Sequence, residues 1–349
     1  MSPNTITSSE RIPTFVLKAT AAASLGGILF GYDMGVISAA LPQLIETFNL
    51  GEGQQEMVVS FLYIGCFIGA SVGGFLCDKH GRKRMIIVTD VVFIVGATVL
   101  YAASTFRTVL FGRIIIGCAV AISGIADVAY LHEISPRQYR GAIVSCNEAC
   151  ISLGFLISYL VGYFVSLYIP NDGWRDMFAF GSIIAALQLI GMIMMPESPV
   201  WLEQNGEIDA AEVVLNQIYG TRARASTSTS NEEVESNDTN KGDTEPYSSL
   251  TIEHPLPQIE NTPRNFSMQT IRTFYRQIII AVFLCTMQSW CGHTNILNFA
   301  PEIFAQFGFN SEKQVLICTL LVGVVSEINT QDRSWSDNPN HTTLTINFF

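Results

Sequence analysis

The sequence predicts an all-α, multi-pass membrane protein, and three observations carry this prediction. Of its 349 residues, 49% are hydrophobic and only 14% are charged, whereas soluble domains carry about a quarter charged residues. The apolar residues also form long blocks instead of alternating with polar ones, as expected for helices in lipid. The gaps between the first six blocks are short, so the corresponding helices are expected to form one bundle.

Seven blocks approach the roughly 20 apolar residues that a spanning helix needs. In chain order they cover 15–41, 57–77, 85–104, 108–131, 142–168, 174–195 and 277–300. An eighth block, 315–325, has roughly half the required length. The first block follows a short N-terminal segment, 1–14, and runs well past the length of a signal-peptide core, which predicts a retained transmembrane helix.

Basic residues predict the orientation of the bundle. Every second predicted loop is basic and contains Lys79, Arg82, Lys83 and Arg84, or Arg137 and Arg140; the loops between hold at most one basic residue each. Because loops rich in Lys and Arg stay in the cytoplasm, the N-terminus and the segment after span six are expected there. A multi-pass protein of the plasma membrane is the predicted location.

The segment 196–276 separates two groups of spans. It begins with a predicted short amphipathic helix, Ile208–Ile218, and continues into a polar stretch, 221–265, that is expected to be disordered. Much of the acid behind the net charge of −11 lies in this segment. Six spans, a long cytoplasmic loop and further spans are typical of a transporter built from two six-helix halves.

Several classes of protein are disfavoured. The sequence contains no stripe of basic residues, so a nucleic-acid partner is not expected. The eight cysteines are scattered among the apolar blocks, so neither a disulfide framework nor a zinc site is expected. No nucleophile–base pair, phosphate loop or metal-ligand cluster occurs, so we expect neither an enzyme nor a cofactor.

Ionisable residues inside the predicted spans are candidate functional residues, because a charge in lipid is costly unless it has a partner. Span one contains Asp33, span four Arg113 and span five Glu148. For two others, Asp90 and Asp127, the favoured interpretation is a polar residue at a helix end or beside a cavity.

Asp33 and Arg113 are expected at similar depths. At about 1.5 Å per residue, they lie about 12 Å and about 8 Å below the outer surface, which allows an ion pair. Glycines at 27, 31 and 35 line one face of span one and allow close packing of another helix. Asp33 lies on roughly the opposite face, which is expected to border a cavity. The alternative is an ion pair that serves only packing.

Three motifs resemble the sugar porters of the major facilitator superfamily, most closely the class III animal sugar transporters, which include proton-coupled glucose and myo-inositol carriers. They are Gly74-Phe-Leu-Cys-Asp-Lys-His-Gly-Arg-Lys83, Glu133-Ile-Ser-Pro-Arg-Gln-Tyr-Arg-Gly141 and Pro196-Glu-Ser-Pro-Val-Trp-Leu202. The resemblance runs from about Val16 to Val325 without 221–265. It implies the major facilitator fold: an N-terminal six-helix half, then span seven and an incomplete span eight, 277–325.

The motifs also imply a gate of charged residues at the cytoplasmic surface. Its expected members are Asp78, Arg82, Lys83, Glu133, Arg140 and Glu197. The family usually has an arginine where Val200 stands, so one inner contact is expected to be weaker in this chain. The alternative for the first motif is that its basic residues only keep this loop on the cytoplasmic side of the membrane.

The resemblance further implies proton coupling and a sugar site. An acid at the position of Asp33 is a feature of many proton symporters of the family, and Arg113 is expected to set its protonation. The family has a sugar-binding glutamine where Glu148 stands; Asn147 precedes it. On span seven Asn295 matches the family pattern, whereas Gln288 matches only with a shift of one position. The expected ligands are a hexose or polyol and protons, with the lipid bilayer as surroundings.

The family pattern ends after Val325, and the polar tail 326–349 is unrelated to it. We therefore expect a C-terminally truncated splice product or a gene-model artefact. Three functional hypotheses remain open. The first is a proton-coupled hexose or polyol symporter that works by alternating access. The second is a facilitative uniporter with the same site, and the third is a truncated membrane protein that binds substrate or a full-length transporter without transporting.

Overall fold

A computed structural model describes residues 13–136, 139–169 and 172–219 and six further residues, Tyr275, Ile279, Ile280, Phe283, Thr286 and Met287. The chain forms two compact units. The first comprises Met1–Ala223 and Ile296–Phe349, and the second comprises Arg224–Asn295. The six further residues belong to the second unit and are helical.

The first unit contains eight described helices. They are α1 Thr14–Phe48, α2 Glu52–His80, α3 Arg82–Tyr101, α4 Phe106–Ile134, α5 Arg140–Tyr168, α6 Gly173–Ile193, α7 Pro199–Gln204 and α8 Ile208–Tyr219. The first six are long and apolar enough to cross a membrane, and each corresponds to one predicted span. The predicted segments 221–265, 288–300, 315–325 and 326–349 lie outside the described residues.

Helix α1 extends beyond its predicted end at Leu41. Pro42 lies inside the helix, which continues to Phe48. Proline removes one backbone donor, but neighbouring helices allow membrane helices to tolerate this loss. The helix ends at Asn49, which adopts the left-handed conformation and donates its N–H to the carbonyl of Ile45. The left-handed residue, and not the proline, therefore sets the boundary of the helix.

Helix α1 is the most buried of the six, with 78% of its most apolar window enclosed. It packs against α5, α6 and α4, while α4 also packs against α2 and α3. The predicted glycine face is the contact with α5: a Cβ atom at Gly31 would overlap the carbonyl of Ile151, and one at Gly27 would approach Asn147. The glycine spacing therefore predicted this close helix contact correctly.

Large apolar side chains cover the outside of the bundle. Phe67 and Phe75 on α2 and Ile190 on α6 are among the exposed ones. Exposed apolar side chains are costly in water and favourable in lipid, so this surface agrees with the predicted membrane spans.

Helices α7 and α8 close one end of the bundle. We call it the basic end, because it contains residues 79–84, 135, 136, 139 and 140. The side chain of Ser198 caps α7, with Pro199 at its first position, a common way for a helix to begin. The predicted amphipathic helix Ile208–Ile218 is confirmed as α8, whose buried residues join a core cluster with Val16 and Trp201.

Candidate functional site

Asp33 and Arg113 form an ion pair inside the bundle. The Nη1 atom of Arg113 lies 3.5 Å from Oδ1 of Asp33, and both side chains are almost completely buried. They come from α1 and α4, as their matching depths in the sequence allowed. The distance is at the long limit of a hydrogen bond, so the attraction between the two groups is mainly electrostatic.

The surroundings of this pair satisfy it only in part. Nε of Arg113 donates to the carbonyl of Val58 at 3.4 Å, and its guanidinium lies 5.6 Å from the ring centre of Phe178. Within the described residues, Oδ2 of Asp33 and both terminal nitrogens of Arg113 lack hydrogen bonds. Desolvation favours the neutral acid and a nearby guanidinium favours the carboxylate. The arrangement can therefore respond to a proton.

One sequence expectation about Asp33 was wrong. We expected its side chain to border a cavity, but only 1% of Asp33 is exposed. On the face opposite the glycines, Arg113 of α4 pairs with Asp33, and the ring of Phe178 on α6 lies against the guanidinium of Arg113. The ion pair is part of the packed interior.

Asn147 and Glu148, the predicted sugar-binding residues of α5, point in different directions. Asn147 is buried against α1, where a Cβ atom at Gly27 would approach its carbonyl and its Oδ1 atom. Glu148 is exposed. Neighbouring residues in a helix are rotated by about 100°, so the two side chains cannot share a face. Gln288 and Asn295 lie outside the described residues.

At the basic end, Arg82 joins three helices. Its Nη2 atom lies 3.1 Å from Oδ1 of Asp78 and 3.0 Å from Oε1 of Glu133, and its Nε donates to the same Glu133 oxygen at 3.1 Å. The other Glu133 oxygen accepts a hydrogen bond from the hydroxyl of Ser198. This network links the ends of α2, α3 and α4 to the start of α7.

Glu197 caps the N-terminus of α3. Its Oε1 accepts the backbone N–H of Lys83 at 2.8 Å, and its Oε2 accepts that of Arg84 at 3.4 Å. Gly81 precedes the helix with φ of 99°, and a Cβ atom there would collide with the Glu197 carboxylate. A negative charge at a helix N-terminus is stabilised by the free N–H groups and the helix dipole.

Five of the six predicted gate residues therefore meet at the basic end, but Arg140 does not join them. The structure shows no ion pair for Arg140 within the described residues, and its Nε is buried without a hydrogen bond there. The side chain of Lys83 reaches the carbonyl of Ile193 at 3.1 Å instead of a carboxylate.

Sequence reasoning missed two members of this cluster. Ser198 bonds Glu133, and the indole N–H of Trp201 donates to the carbonyl of Asp78 at 3.0 Å. Both belong to the motif Pro196–Leu202, so the signal was present, although we assigned a role only to Glu197.

Asp90 and Asp127 also differ from their favoured interpretation. They lie in the interiors of α3 and α4 and are at most 1% exposed, so neither is at a helix end nor beside a cavity. Asp127 accepts hydrogen bonds from Ser123 at 2.9 Å and from Gln188 at 3.0 Å. The sequence did not reveal the contact of Asp127 with Gln188 on α6.

No group of three or more His, Cys, Asp or Glu residues is placed to hold a metal ion within the described part of the chain. The five described cysteines, Cys66, Cys77, Cys118, Cys146 and Cys150, are free thiols.

Comparisons with known proteins cover most of the sequence. Residues 19–331 match the family described as "Sugar (and other) transporter". The facilitated glucose transporter member 12 of solute carrier family 2 from Xenopus laevis is 32% identical over 317 residues, covering 90% of this chain and 50% of that protein. The probable inositol transporter 2 of Arabidopsis thaliana is 31% identical, covering 88% and 50%. The chain spans about half the length of these relatives.

Solved structures share the fold. The xylose transporter XylE from E. coli, in a partially occluded inward-open conformation, matches with a TM-score of 0.72 at 26% identity, covering 94% of this chain and 74% of that one. A structure described as the proton:xylose symporter XylE bound to 6-bromo-6-deoxy-D-glucose gives a TM-score of 0.73 at 26% identity, covering 93% and 70%.

Proposed function

Because this chain belongs to the sugar transporter family of the major facilitator superfamily, we propose that it carries a hexose or polyol across a membrane by proton-coupled alternating access. The observation that carries the proposal is the buried, loosely bonded pair of Asp33 and Arg113. The relatives are transporters, not enzymes. Among them are proteins named for glucose, inositol and xylose, and one solved structure is described as a proton:xylose symporter.

The pair offers a physical route for coupling. When Asp33 is ionised, its charge holds the guanidinium of Arg113 within the bundle. A proton on Asp33 removes this attraction, so Arg113 must find another partner or move. Arg113 also contacts Val58 on α2 and Phe178 on α6. A change in its position therefore reaches two further helices, which is how a local proton could bias a transition between two conformations.

The substrate side of the proposal rests on α5. Glu148 is exposed, and its carboxylate can accept hydrogen bonds from sugar hydroxyls. Gln288 and Asn295 would add amide donors and acceptors, as sugar recognition requires convergent polar groups in an apolar cavity. Asn147 contributes through the packing of α5 on α1, because its side chain is buried there.

The basic-end cluster would act as the cytoplasmic gate in a plasma-membrane protein with a cytoplasmic N-terminus. Asp78, Arg82 and Glu133 hold the ends of three helices together. Glu197 ties the start of α7 to α3. The Nε of Arg140 is buried without a hydrogen bond among the described residues, so Arg140 is proposed as a gate residue from its motif alone.

The test is uptake of labelled glucose, galactose and myo-inositol into proteoliposomes at two pH values. We expect an inward proton gradient to drive accumulation above equilibrium for one of these substrates. The variant Asp33→Asn should keep exchange of substrate but lose accumulation, while the exposed control Asp209→Asn should behave as the wild type. Accumulation by Asp33→Asn would contradict the proposed role of Asp33.

Two alternative functions are tested in the same assay. Relatives named as facilitated glucose transporters favour a uniporter, in which equilibration without gradient-driven accumulation is expected. The chain spans about half the length of those relatives, and the other alternative is a non-transporting protein that binds substrate or a longer transporter. Uptake should be compared between this chain and a chimera that carries the remaining length of a relative. Uptake by the chimera alone would support the non-transporting alternative.

A further inference from the structure

Asp90 and Asp127 lie together in the part of the bundle nearer the basic end, away from the Asp33 pair. Asp127 follows Arg113 by fourteen residues in α4, which places them about 21 Å apart along the helix. Asp90 lies eight residues from the start of α3, and Asp127 is close enough to act on its charge. The two acids therefore form a separate site with no role in the proposed Asp33 mechanism.

The two carboxyl groups have unequal surroundings. Asp127 accepts one hydrogen bond at each oxygen, from Ser123 and from the amide of Gln188. Both oxygens of Asp90 are buried and lack any hydrogen-bond partner among the described residues. Donors directed at a carboxylate favour its ionised form, whereas burial without donors favours the neutral acid.

Gln188 provides an independent sign that a hydrogen-bond donor is missing. The residue is completely buried, and its Nε2 donates to Asp127. Its Oε1 has no partner within the described part of the chain. Gln188 Oε1 thus lies on the amide group that bonds Asp127, and with the two Asp90 oxygens it makes three buried acceptor atoms without a partner among the described residues. A buried acceptor without a donor is costly, and a proton on Asp90 turns one of these acceptors into a donor.

The site is tightly enclosed. A Cβ atom at Gly26 of α1 would collide with the carboxylate of Asp127 and with the amide of Gln188. The close approach of α1 therefore covers these two groups on that side.

Charged and titratable groups on the surrounding helices do not neutralise the acids. On α3, Arg82 is engaged by Asp78 and Glu133. On α2, Cys77 is near enough to be affected by Asp127. On α4, Tyr130 bonds the carbonyl of Pro196, and Glu133 is itself acidic. On α1, Lys18 is exposed, and the inner part of α6 offers only Gln188. No described cation contacts either Asp90 or Asp127.

We propose that Asp90 and Asp127 form a second proton-binding site, in which Asp90 carries the proton and Asp127 carries the negative charge. Two ionised carboxylates in an apolar interior repel each other and lose their hydration, so one of the pair retains a proton. The ligand that we propose is a proton, and no group of three or more His, Cys, Asp or Glu residues in the described part of the chain is placed to hold a metal ion. This inference does not depend on proton-coupled sugar transport.

Infrared spectroscopy of the reconstituted protein tests the site directly. The measurement uses the Asp33→Asn background, which removes the other fully buried carboxyl group among the described residues. At neutral pH we expect the carbonyl stretch of a protonated carboxylic acid, which shifts in heavy water and on isotope labelling of the aspartate carboxyl groups. This band should disappear in Asp90→Asn, persist in Asp127→Asn and remain unchanged in the exposed control Asp209→Asn.

The outcomes separate the possibilities. Asparagine has the shape of a neutral aspartic acid, so Asp90→Asn should also unfold at the wild-type temperature or above. If Asp90→Asn does not fold, the proposal is still tested by the isotope-labelled band in the Asp33→Asn protein and by its persistence in Asp127→Asn.

Absence of a protonated aspartate at neutral pH would overturn the proposal, as would loss of the band in Asp127→Asn alone. A band that appears only when sodium is removed would also overturn it, because the site would then hold a cation. Failure of sugar uptake would leave this result unaffected.

Discussion

The guanidinium of Arg113 lies 3.5 Å from the carboxylate of Asp33, and neither group reaches the surface of the bundle. One carboxylate oxygen and the terminal guanidinium nitrogens lack hydrogen bonds in the described structure. A buried pair with incomplete hydrogen bonding gains little from its Coulomb attraction, because both charges have lost their hydration. The pair is therefore expected to contribute little net stability, which agrees with the role proposed for Asp33.

The first prediction concerns the two members of this pair. Asp33→Asn and Arg113→Gln should each lower the free energy of unfolding by about 3–5 kcal/mol, because each leaves one buried charge without a partner. The double variant should lose clearly less than the sum, since it leaves no charge behind. Thermal unfolding in detergent, followed in a double-mutant cycle, measures the coupling.

An exposed ion pair in the same bundle provides the matched control. Asp172 and Arg175 lie 3.8 Å apart, and the Asp172 side chain is 67% exposed. Asp172→Asn should cost no more than about 1 kcal/mol. If Asp33→Asn and Asp172→Asn lowered the free energy of unfolding equally, the expected cost of leaving Arg113 buried without a partner would be wrong.

The second prediction concerns the contact between α1 and α5. Gly31→Ala should destabilise the protein by about 1–3 kcal/mol, because the new methyl group would overlap the carbonyl of Ile151, a backbone atom that cannot turn away. In Gly124→Ala on α4 the nearest atoms belong to the ring of Phe30 at 3.8 Å. That control should be neutral or slightly stabilising, since alanine favours a helix over glycine by about 1 kcal/mol. Unfolding temperatures of the two variants provide the comparison, and a stable Gly31→Ala would contradict the tight contact.

The third prediction concerns the carboxylate that caps α3. Glu197→Gln should lower the free energy of unfolding by about 1–2 kcal/mol, because the negative charge at the helix N-terminus is lost while the side-chain shape remains. Glu212→Gln, on the exposed face of α8, should change it by less than about 0.5 kcal/mol. Hydrogen exchange should locate the loss in the first turn of α3, at Lys83 and Arg84. Unchanged exchange there would argue against the cap.

The sequence was sufficient to predict features that depend on rise along a helix. The rise per residue gives the depth of a residue within its span, and from it we expected Asp33 and Arg113 at similar depths. Glycines four residues apart mark a close contact whichever helix is the partner. Both features depend on one helix at a time, so the residues alone determine them.

Other features depend on how neighbouring helices are rotated, and there the sequence was insufficient. Asn147 and Glu148 are adjacent, yet one packs on α1 and the other is exposed. Asp127 looked like a cavity residue until Gln188, sixty-one positions later, proved to bond it. Glu197 caps a helix that begins more than a hundred residues earlier. Contacts between residues far apart in the sequence depend on how the helices pack, and patterns within one helix do not predict them.

The last prediction concerns the exposed acid of α5. Glu148→Ala should raise the KM for the transported sugar by about 10–150-fold, the equivalent of a hydrogen bond to a charged group worth about 1.5–3 kcal/mol. Glu148→Gln should keep most of the affinity, because an amide oxygen also accepts from a hydroxyl and the resemblance places a glutamine at this position. Neither variant should change the unfolding temperature, since Glu148 is exposed. Initial rates of uptake at varied sugar concentration measure the effect, with Glu212→Ala as an exposed acidic control. If Glu148→Ala has the KM of the control, the sugar does not bind at Glu148 and the exposed face of α5 loses its proposed role.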